Sequence, residues 1–517
     1  MKKKNVIFCL LIGALSIGML AACGGETKTT DNGNGEPTVS IWTGRAATVI
    51  EGYNSVYDTP GFKEMVKELG VNIEYISPTA GQEWEQFNLM LASREFPDAV
   101  YFDWVQVPGG IDKQIKDGVI YKMDDAFLQQ NAPDYYQLLK ENDVYDKASK
   151  TDSGDYYQFA KFFDYKEGMD EPLYTSGYFM RSDWLKELGL EAPETIDDWH
   201  TILTAFKEKK GAEAPLTGTN LPNGLEGAFG IMRNFYHDDG VVKYGAYEEN
   251  FRNFLTTMNQ WYSEGLIDQN LVGITSKQVS AKILNGQSGV SYGWMASDFG
   301  SWMRAAQGSF DMIGVQIPVQ NKGDISEYSI AMAPTTTSGA IIDAKAKDPA
   351  LVAKVMNFGY SEKGHMIANF GIEGESYTMV DGKPVYTDNI LNNSNGLSVA
   401  LARDAYCESP GGAYREDYRY IQQYYNLPQQ KEAQKVWRNG NGVNHVMPEL
   451  AYTEAESSER SKIITEVETY VEEMTSKFII GVEPLDKFDE YREHLKALGI
   501  EKAISITQEA YARYLNR

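Results

Sequence analysis

The sequence is poor in the residues that carry metal, redox and nucleophilic chemistry. Its 517 residues hold three cysteines and five histidines. Cys9 falls inside an apolar leader and Cys23 directly after it, so Cys407 is left without a partner and no disulfide is expected. The histidines (His200, His237, His365, His445 and His494) are scattered; no HExxH occurs and no two have ligand spacing. No phosphate-cradling P-loop is present, so nucleotide-driven chemistry is not expected of this chain. Positive charge is also short: 48 Lys and Arg stand against 73 Asp and Glu, a net charge of −25. A body this acidic is a poor partner for nucleic acid or anionic lipid. What the chain does have is aromatic surface, with 33 tyrosines and 9 tryptophans. Rings with an apolar face and a polar tip suit interfaces and sugar sites.

The one long apolar run stands at the start. Lys2, Lys3 and Lys4 precede Val6–Leu20, a charged region followed by an apolar one too short and glycine-interrupted for a transmembrane helix. Leu20-Ala21-Ala22-Cys23 then resembles a bacterial lipobox. On that resemblance residues 1–22 are a lipoprotein signal peptide, and the Cys23 sulfur receives a diacylglycerol. Residues 23–37 have almost no large apolar side chain, cannot offset their ordering entropy, and read as a flexible tether. A two-chain lipid anchor holds where a single chain is marginal. The expected location is therefore the outer face of the bacterial cytoplasmic membrane.

The remaining 480 or so residues suffice for two or three domains and must rely on their own cores. "TVSIWT" (38–43) reads as a buried strand, "GFKEMVKELG" as a helix stopped by Gly70, and "VNIEYIS" as a second strand. A helix marked by Trp84, Phe87 and Leu91 follows, then a third strand, "DAVYF" (98–102). This β-α-β-α-β order opens a mainly parallel sheet with helices on both faces. Further on, "ETIDDWHTILTAFKEKK" holds a helix with Trp199, Ile202, Leu203 and Phe206 inward, capped by Thr195 and Asp198. Near the end Phe488, Tyr491, Leu495 and Leu498 form one stripe stopped by Gly499. A two-lobed α/β protein is the natural reading.

"GYFMRSDWLKELGLEAPETIDDWHTILTAFKEK" (177–209) resembles the entry to the second lobe in family 1 extracellular solute-binding proteins, the receptors of ABC importers. The likeness is to the large LplA-like lipoprotein branch associated with oligosaccharide uptake. "FNLMLASREFPDAVYFD", "MNQWYSEGLIDQNL", "NFGIEGESYTMVDGKPV" and "FIIGVEPLDKFDEYREHLKALGIEKAISITQEAYARY" are similar to the same branch, so the resemblance spans nearly the whole mature chain. It implies a periplasmic-binding-protein fold with a hinge and an interlobe cleft. The first lobe would hold 38–170 plus 328–381, and the second 177–320 plus 390–517. It also implies a binding protein rather than an enzyme, monomeric and without a cofactor, that hands an oligosaccharide to membrane permease subunits.

Ligands in open α/β sheets bind beyond the carboxyl ends of the strands. That rule selects Trp42 and Arg45 after the first strand, although Trp42 reads equally well as that strand's last core residue. It also selects Asp103 and Trp104 after the third, where an indole could stack on a sugar ring while the carboxylate accepts from its hydroxyls, or Trp104 could pack under the lobe edge. In "NGQSGVSYGWMASDFGSW" (285–302) the family resemblance points to Trp294 as the aromatic of the second lobe, with Trp302 in the core. Glu375 and Tyr377 in "GIEGESY", and Tyr406 and Arg415 in "YCESPGGAYREDY", complete the candidates; the second loop reads equally as a solvated surface.

Other chemistries are weaker. Gly289-Val290-Ser291-Tyr292-Gly293 matches the nucleophile elbow G-x-S-x-G, but that motif needs a strand, a sharp turn and a helix, and here the segment reads as the strand itself. Asp124-Asp125 and Asp197-Asp198 read as helix caps rather than glycosidase acids. "KGAEAPLTGTN" lacks the alternating oxygen ligands of a calcium loop found in some relatives, so no metal is expected. The alternatives are an extracellular carbohydrate-active hydrolase or a receptor for a solute other than sugar.

Overall fold

Strands form where apolar residues alternate or run together between Gly, Pro and Asp stops. The computed structural model describes residues 36–50, 52–164, 174–219, 221–329 and 335–517. In chain order its strands are β1 (Thr38–Trp42), β2 (Asn72–Ile76), β3 (Ala99–Asp103), β4 (Phe159–Asp164) and β5 (Ser176–Arg181). They continue as β6 (Leu216–Thr217), β7 (Phe235–Asp238), β8 (Val241–Tyr244), β9 (Val290–Trp294) and β10 (Met312–Val315). Then come β11 (Thr335–Ile342), β12 (Tyr377–Val380), β13 (Lys383–Tyr386) and β14 (Arg415–Asp417). The leader, Cys23 and nearly all of the expected tether lie outside the described residues.

The first lobe is built on a sheet of order β14-β4-β11-β3-β1-β2. Within it β1 is parallel to β2 and β3, β11 runs antiparallel between β3 and β4, and β14 is parallel to β4. The second lobe has a smaller sheet, β10-β5-β9-β6, in which β5 is antiparallel to both neighbours. The period of two along each strand decides which core a side chain enters. In β1, Val39 and Ile41 join Phe159, Phe162 and Tyr360 on one face, while Trp42 joins Phe87, Phe102 and Trp104 on the other. In β5, Tyr178 and Met180 face Trp199, Phe206 and the C-terminal helices, while Phe179 faces Phe299, Trp302 and Trp437.

The helices follow their local signals. Helix Pro60–Leu69 starts on the Thr59 hydroxyl, which accepts from the Phe62 N–H, and stops at Gly70 in the left-handed region (φ 62°). Helix Ile196–Lys210 opens with a reciprocal cap: the Asp198 N–H donates to Thr195 Oγ1 and the Thr195 N–H to Asp198 Oδ2. Its inward residues Trp199, Ile202, Leu203 and Phe206 are buried. Such burial contributes about 1.5–3 kcal/mol per side chain.

Two chain crossings fix how the lobes meet. Strand β4 is parallel to β1 and β3, so it leaves the first sheet at their carboxyl margin. The chain then enters β5, whose first residue Ser176 pairs with Trp294, the last of β9. In return, β10 ends beside the start of β5, with Val315 opposite Tyr178, and β11 begins at the carboxyl margin of the first sheet. The ends of β1 and β3 and the end of β9 thus lie on the margins between which the chain crosses.

One segment departs from expectation. Residues 390–517 were assigned to the second lobe, yet β14 is the edge strand of the first sheet, with Arg415 opposite Phe162 and Asp417 opposite Asp164. Arg-Glu-Asp has no apolar alternation, and its pairing is set by the tertiary context of β4.

Candidate functional site

The first-lobe wall begins where β1 ends. Gly44 takes a positive φ (+68°), and a Cβ there would lie 2.2 Å from the Tyr101 carbonyl oxygen, so only glycine lets the loop cross the sheet margin this closely. Thr43 Oγ1 donates to the Arg45 carbonyl oxygen at 2.8 Å, fixing the turn and leaving the Arg45 side chain exposed. Arg45 borders a cavity of about 130 Å³ with Tyr75, Asp404, Cys407 and Glu408. Tyr75 Oη donates to the Ser409 carbonyl at 3.0 Å and to Glu408 Oε1 at 3.3 Å. Burial pushes the Glu408 carboxyl up to about 7, against the opposing effects of the Ser409 N–H, Arg45 and Tyr75.

Of the two candidate rings of the first lobe, the site reading of Trp104 is corrected and the open choice for Trp42 falls to the core. Trp104 is 0 % exposed; a single 3-10 turn (Trp104–Gln106) folds back on the sheet, and its indole N–H donates to the Val100 carbonyl at 3.2 Å. Trp42 is 2 % exposed and packs edge-on to Phe102. Both are core residues and offer no face to a ligand. Asp103 stays at the margin, where Gln106 Nε2 donates to its Oδ2 at 2.6 Å.

The ring that does open to solvent on this side is Trp84. It sits in the first turn of helix Glu83–Ser93, which follows β2 and so starts at the carboxyl margin of the sheet. Trp84 is 43 % exposed, with Phe102 and Phe87 behind it. Helical spacing with Phe87 and Leu91 gives it the look of a core residue. The missed signal was its place in the first turn, ahead of the residues that cover the sheet.

On the second-lobe wall Trp294 ends β9 and is 52 % exposed. Its backbone N–H donates to Asp298 Oδ2 at 2.8 Å, which fixes the turn that follows the strand. Gly293 leaves room for this turn: a Cβ there would press on Asp298 and Trp302 at 3.0 Å. Ser176 Oγ and Tyr292 Oη lie 2.8 Å apart on the paired strand. Trp302 is buried as expected, its N–H donating to Ser280 Oγ. Ser291 of the G-x-S-x-G match is buried within β9 and donates to the Tyr292 carbonyl; it does not occupy a strand-to-helix turn.

The remaining candidates are not brought together with these walls in one cavity. Tyr377 is buried against Phe370, which removes it as a contact residue. Glu375 is exposed, with its carbonyl accepting from Thr387 and Asn389. Tyr406 is half-buried, and its phenol is raised by burial, then by Tyr53 and Glu375. Arg415 lines a separate cavity of about 470 Å³ with Arg419, His365, Asp134 and Glu362. Among the described residues no group of three or more His, Cys, Asp or Glu is placed to hold a metal ion.

Two α/β lobes linked by repeated crossings, one with an exposed indole at a helix start and the other with one at a strand end, define a cleft-type binding protein. The chain belongs to the bacterial extracellular solute-binding protein family, whose model matches residues 54–366. It is 25% identical over 406 residues to lipoprotein LipO of Bacillus subtilis, covering 74% of this chain and 76% of that one. It is 23% identical over 486 residues to the fructooligosaccharide ABC transporter substrate-binding protein FusA of Streptococcus pneumoniae, covering 87% and 86%. Among solved structures it is similar to alginate-binding protein AlgQ2 without calcium ion, with a TM-score of 0.74, 26% identity, and coverage of 92% of this chain and 98% of that one. The FusA complex with kestose superposes with a TM-score of 0.74 at 20% identity, covering 93% and 99%.

Proposed function

We propose that this protein is a lipid-anchored receptor that captures an oligosaccharide outside the cell and delivers it to the permease of an ABC importer. The observation that carries the reading is the exposed Trp294 indole at the end of β9, in a turn held by Asp298, on the margin where the chain crosses between the two sheets. An exposed indole offers a stacking face, and a carboxylate in the same turn a directional acceptor, the pair of contacts a pyranose or furanose ring takes. Trp84 supplies the matching face on the first lobe. Relatives point the same way: FusA is named for fructooligosaccharide, and YtcQ of Bacillus subtilis, 20% identical over 530 residues, for polygalacturonan and rhamnogalacturonan.

The mechanism follows from hinge geometry. A ligand that touches both margins makes its full set of contacts only when they close, so binding shifts the population to the closed form. Micromolar capture corresponds to about −8 kcal/mol. Cys23, through its lipid, keeps the receptor beside the permease, and the acidic body keeps it off the anionic bilayer.

A thermal-shift screen of the purified chain over neutral and uronic oligosaccharides tests the reading. A raised melting temperature with the ligand recovered intact supports it. Silence across the panel, or release of shorter sugars, overturns it. Trp294→Ala is expected to weaken binding of the responding sugar about ten-fold or more.

A further inference from the structure

A cavity of about 460 Å³ lies apart from the strand-end indoles. Its walls come from three places: Val105 and Gln106 of the first lobe, Phe235 with Arg460 and Glu468 of the second, and the connecting residues Met447–Tyr452. Arg460, Ile464 and Glu468 recur at a spacing of four along helix Glu454–Ile480, so one helix face floors the cavity.

Arg460 is the unusual residue here. Its Nε donates to Thr507 Oγ1 at 3.1 Å, and its guanidinium lies 4.8 Å from the Phe235 ring centre and 4.9 Å from that of Tyr452. Yet among the described residues it forms no ion pair, in a chain with 73 acidic side chains. A guanidinium locked between two rings with its terminal N–H groups unengaged is pre-organised to donate. Lining the same cavity, Glu449 accepts at Oε1 from Tyr157 Oη and Gln158 Nε2, while its buried Oε2 meets no protein partner. Burial, and then the nearby Asp103 carboxyl, push the Glu449 pKa well above the usual carboxylate range.

We infer that this cavity is a sugar-hydroxyl site that takes an uncharged terminal unit of an oligosaccharide, held by Arg460 and Glu449 and closed over by Gln106 from the first lobe. Donors and acceptors both line it: Arg460 and the second amide N–H of Gln106 give, Glu468 and the Thr465 hydroxyl oxygen receive, and Ser461 does both. A hydroxyl both gives and receives and is satisfied there. A uronate carboxylate would meet Arg460 but would also crowd the Glu468 carboxyl, with Asp103 close enough to act on Glu449 behind it. Because one wall belongs to each lobe, occupancy of this cavity also favours closure.

The inference rests on the oligosaccharide reading, and the test separates the two. Titration calorimetry of the full-length mature chain uses kestose and nystose as neutral probes and trigalacturonate as the acidic one, alongside whichever panel sugar stabilises the wild type. Arg460→Lys keeps charge and stem but loses the planar fork, and is expected to weaken the neutral ligand about ten-fold. Gln106→Ala, at an exposed position, is expected to weaken it about three-fold with an unchanged unliganded melting temperature. If the wild type binds a sugar and both variants bind it equally well, this inference is overturned and the receptor reading stands. Tighter binding of trigalacturonate than of any neutral sugar overturns the choice of an uncharged unit. No binding by the wild type across the panel overturns the receptor reading itself.

Discussion

The Trp84 indole stands edge-on to the Phe102 ring, with centroids 4.6 Å apart and planes at 72°, and still shows 43 % of its surface to solvent. Phe102 fixes the ring's tilt while one face stays open. Trp84→Ala is therefore expected to lower oligosaccharide affinity about three- to ten-fold, with Trp84→Phe in between. Calorimetric titration of the two variants checks this; affinity equal to wild type in both would remove Trp84 from the site.

Trp104 should behave in the opposite way. Its ring is fully enclosed and its N–H is spent on the Val100 carbonyl. Trp104→Ala is expected to cost about 3–5 kcal/mol of stability. The folded fraction should keep wild-type affinity. Urea unfolding and binding measured on the same sample separate the two effects.

Asp417 anchors the outer edge of the first sheet. It is 1 % exposed and accepts from His365 Nε2 at 2.8 Å and from Arg419 Nε at 3.0 Å. Burial alone would raise its pKa, but the bonds from His365 and Arg419 win and hold it far below the usual carboxylate range. Asp417→Asn is expected to cost about 3–5 kcal/mol near neutral pH. With a depressed folded pKa, that contribution is full above about pH 4 and fades as pH drops toward the folded value. The gap between wild type and variant in urea melts should thus narrow below pH 4; a gap that stays constant to pH 2.5 would show that the charge contributes nothing.

Glu408 has the reverse sign. With its carboxyl pushed up to about 7, the folded chain holds a proton that the unfolded chain releases near pH 4.3. Stability should fall as pH rises from about 4.3 to about 7 and level off beyond. Glu408→Gln is expected to melt with the wild type at pH 4 and above it at pH 8. Identical melting curves for the two proteins at pH 8 would contradict this.

The parts of the fold written in short stretches were legible. The Thr195–Asp198 cap, the Gly70 stop and the buried stripe of Trp199, Ile202, Leu203 and Phe206 depend on neighbours a few residues away, and each appears in the structure. The site was harder to read. Whether Trp84 or Trp104 opens to solvent depends on which of two short segments folds back over a sheet margin, and both match the same crude rule of a tryptophan near a strand end. Trp294 was placed by resemblance, and its exposure depends on the π-helical turn Met295–Phe299 that carries the chain away from β9. β14 was invisible because three charged residues pair only once β4 is there to receive them.

That late strand has a consequence for how the molecule comes into being. A polypeptide leaving the ribosome cannot finish its first sheet until residue 417 has emerged, by which time every strand of the second sheet is already out. Pairings so distant along the chain close slowly. Neither half can be cut out and expressed as a finished piece, and the newborn chain stays pliable during the interval in which an extracellular protein must be threaded across a membrane.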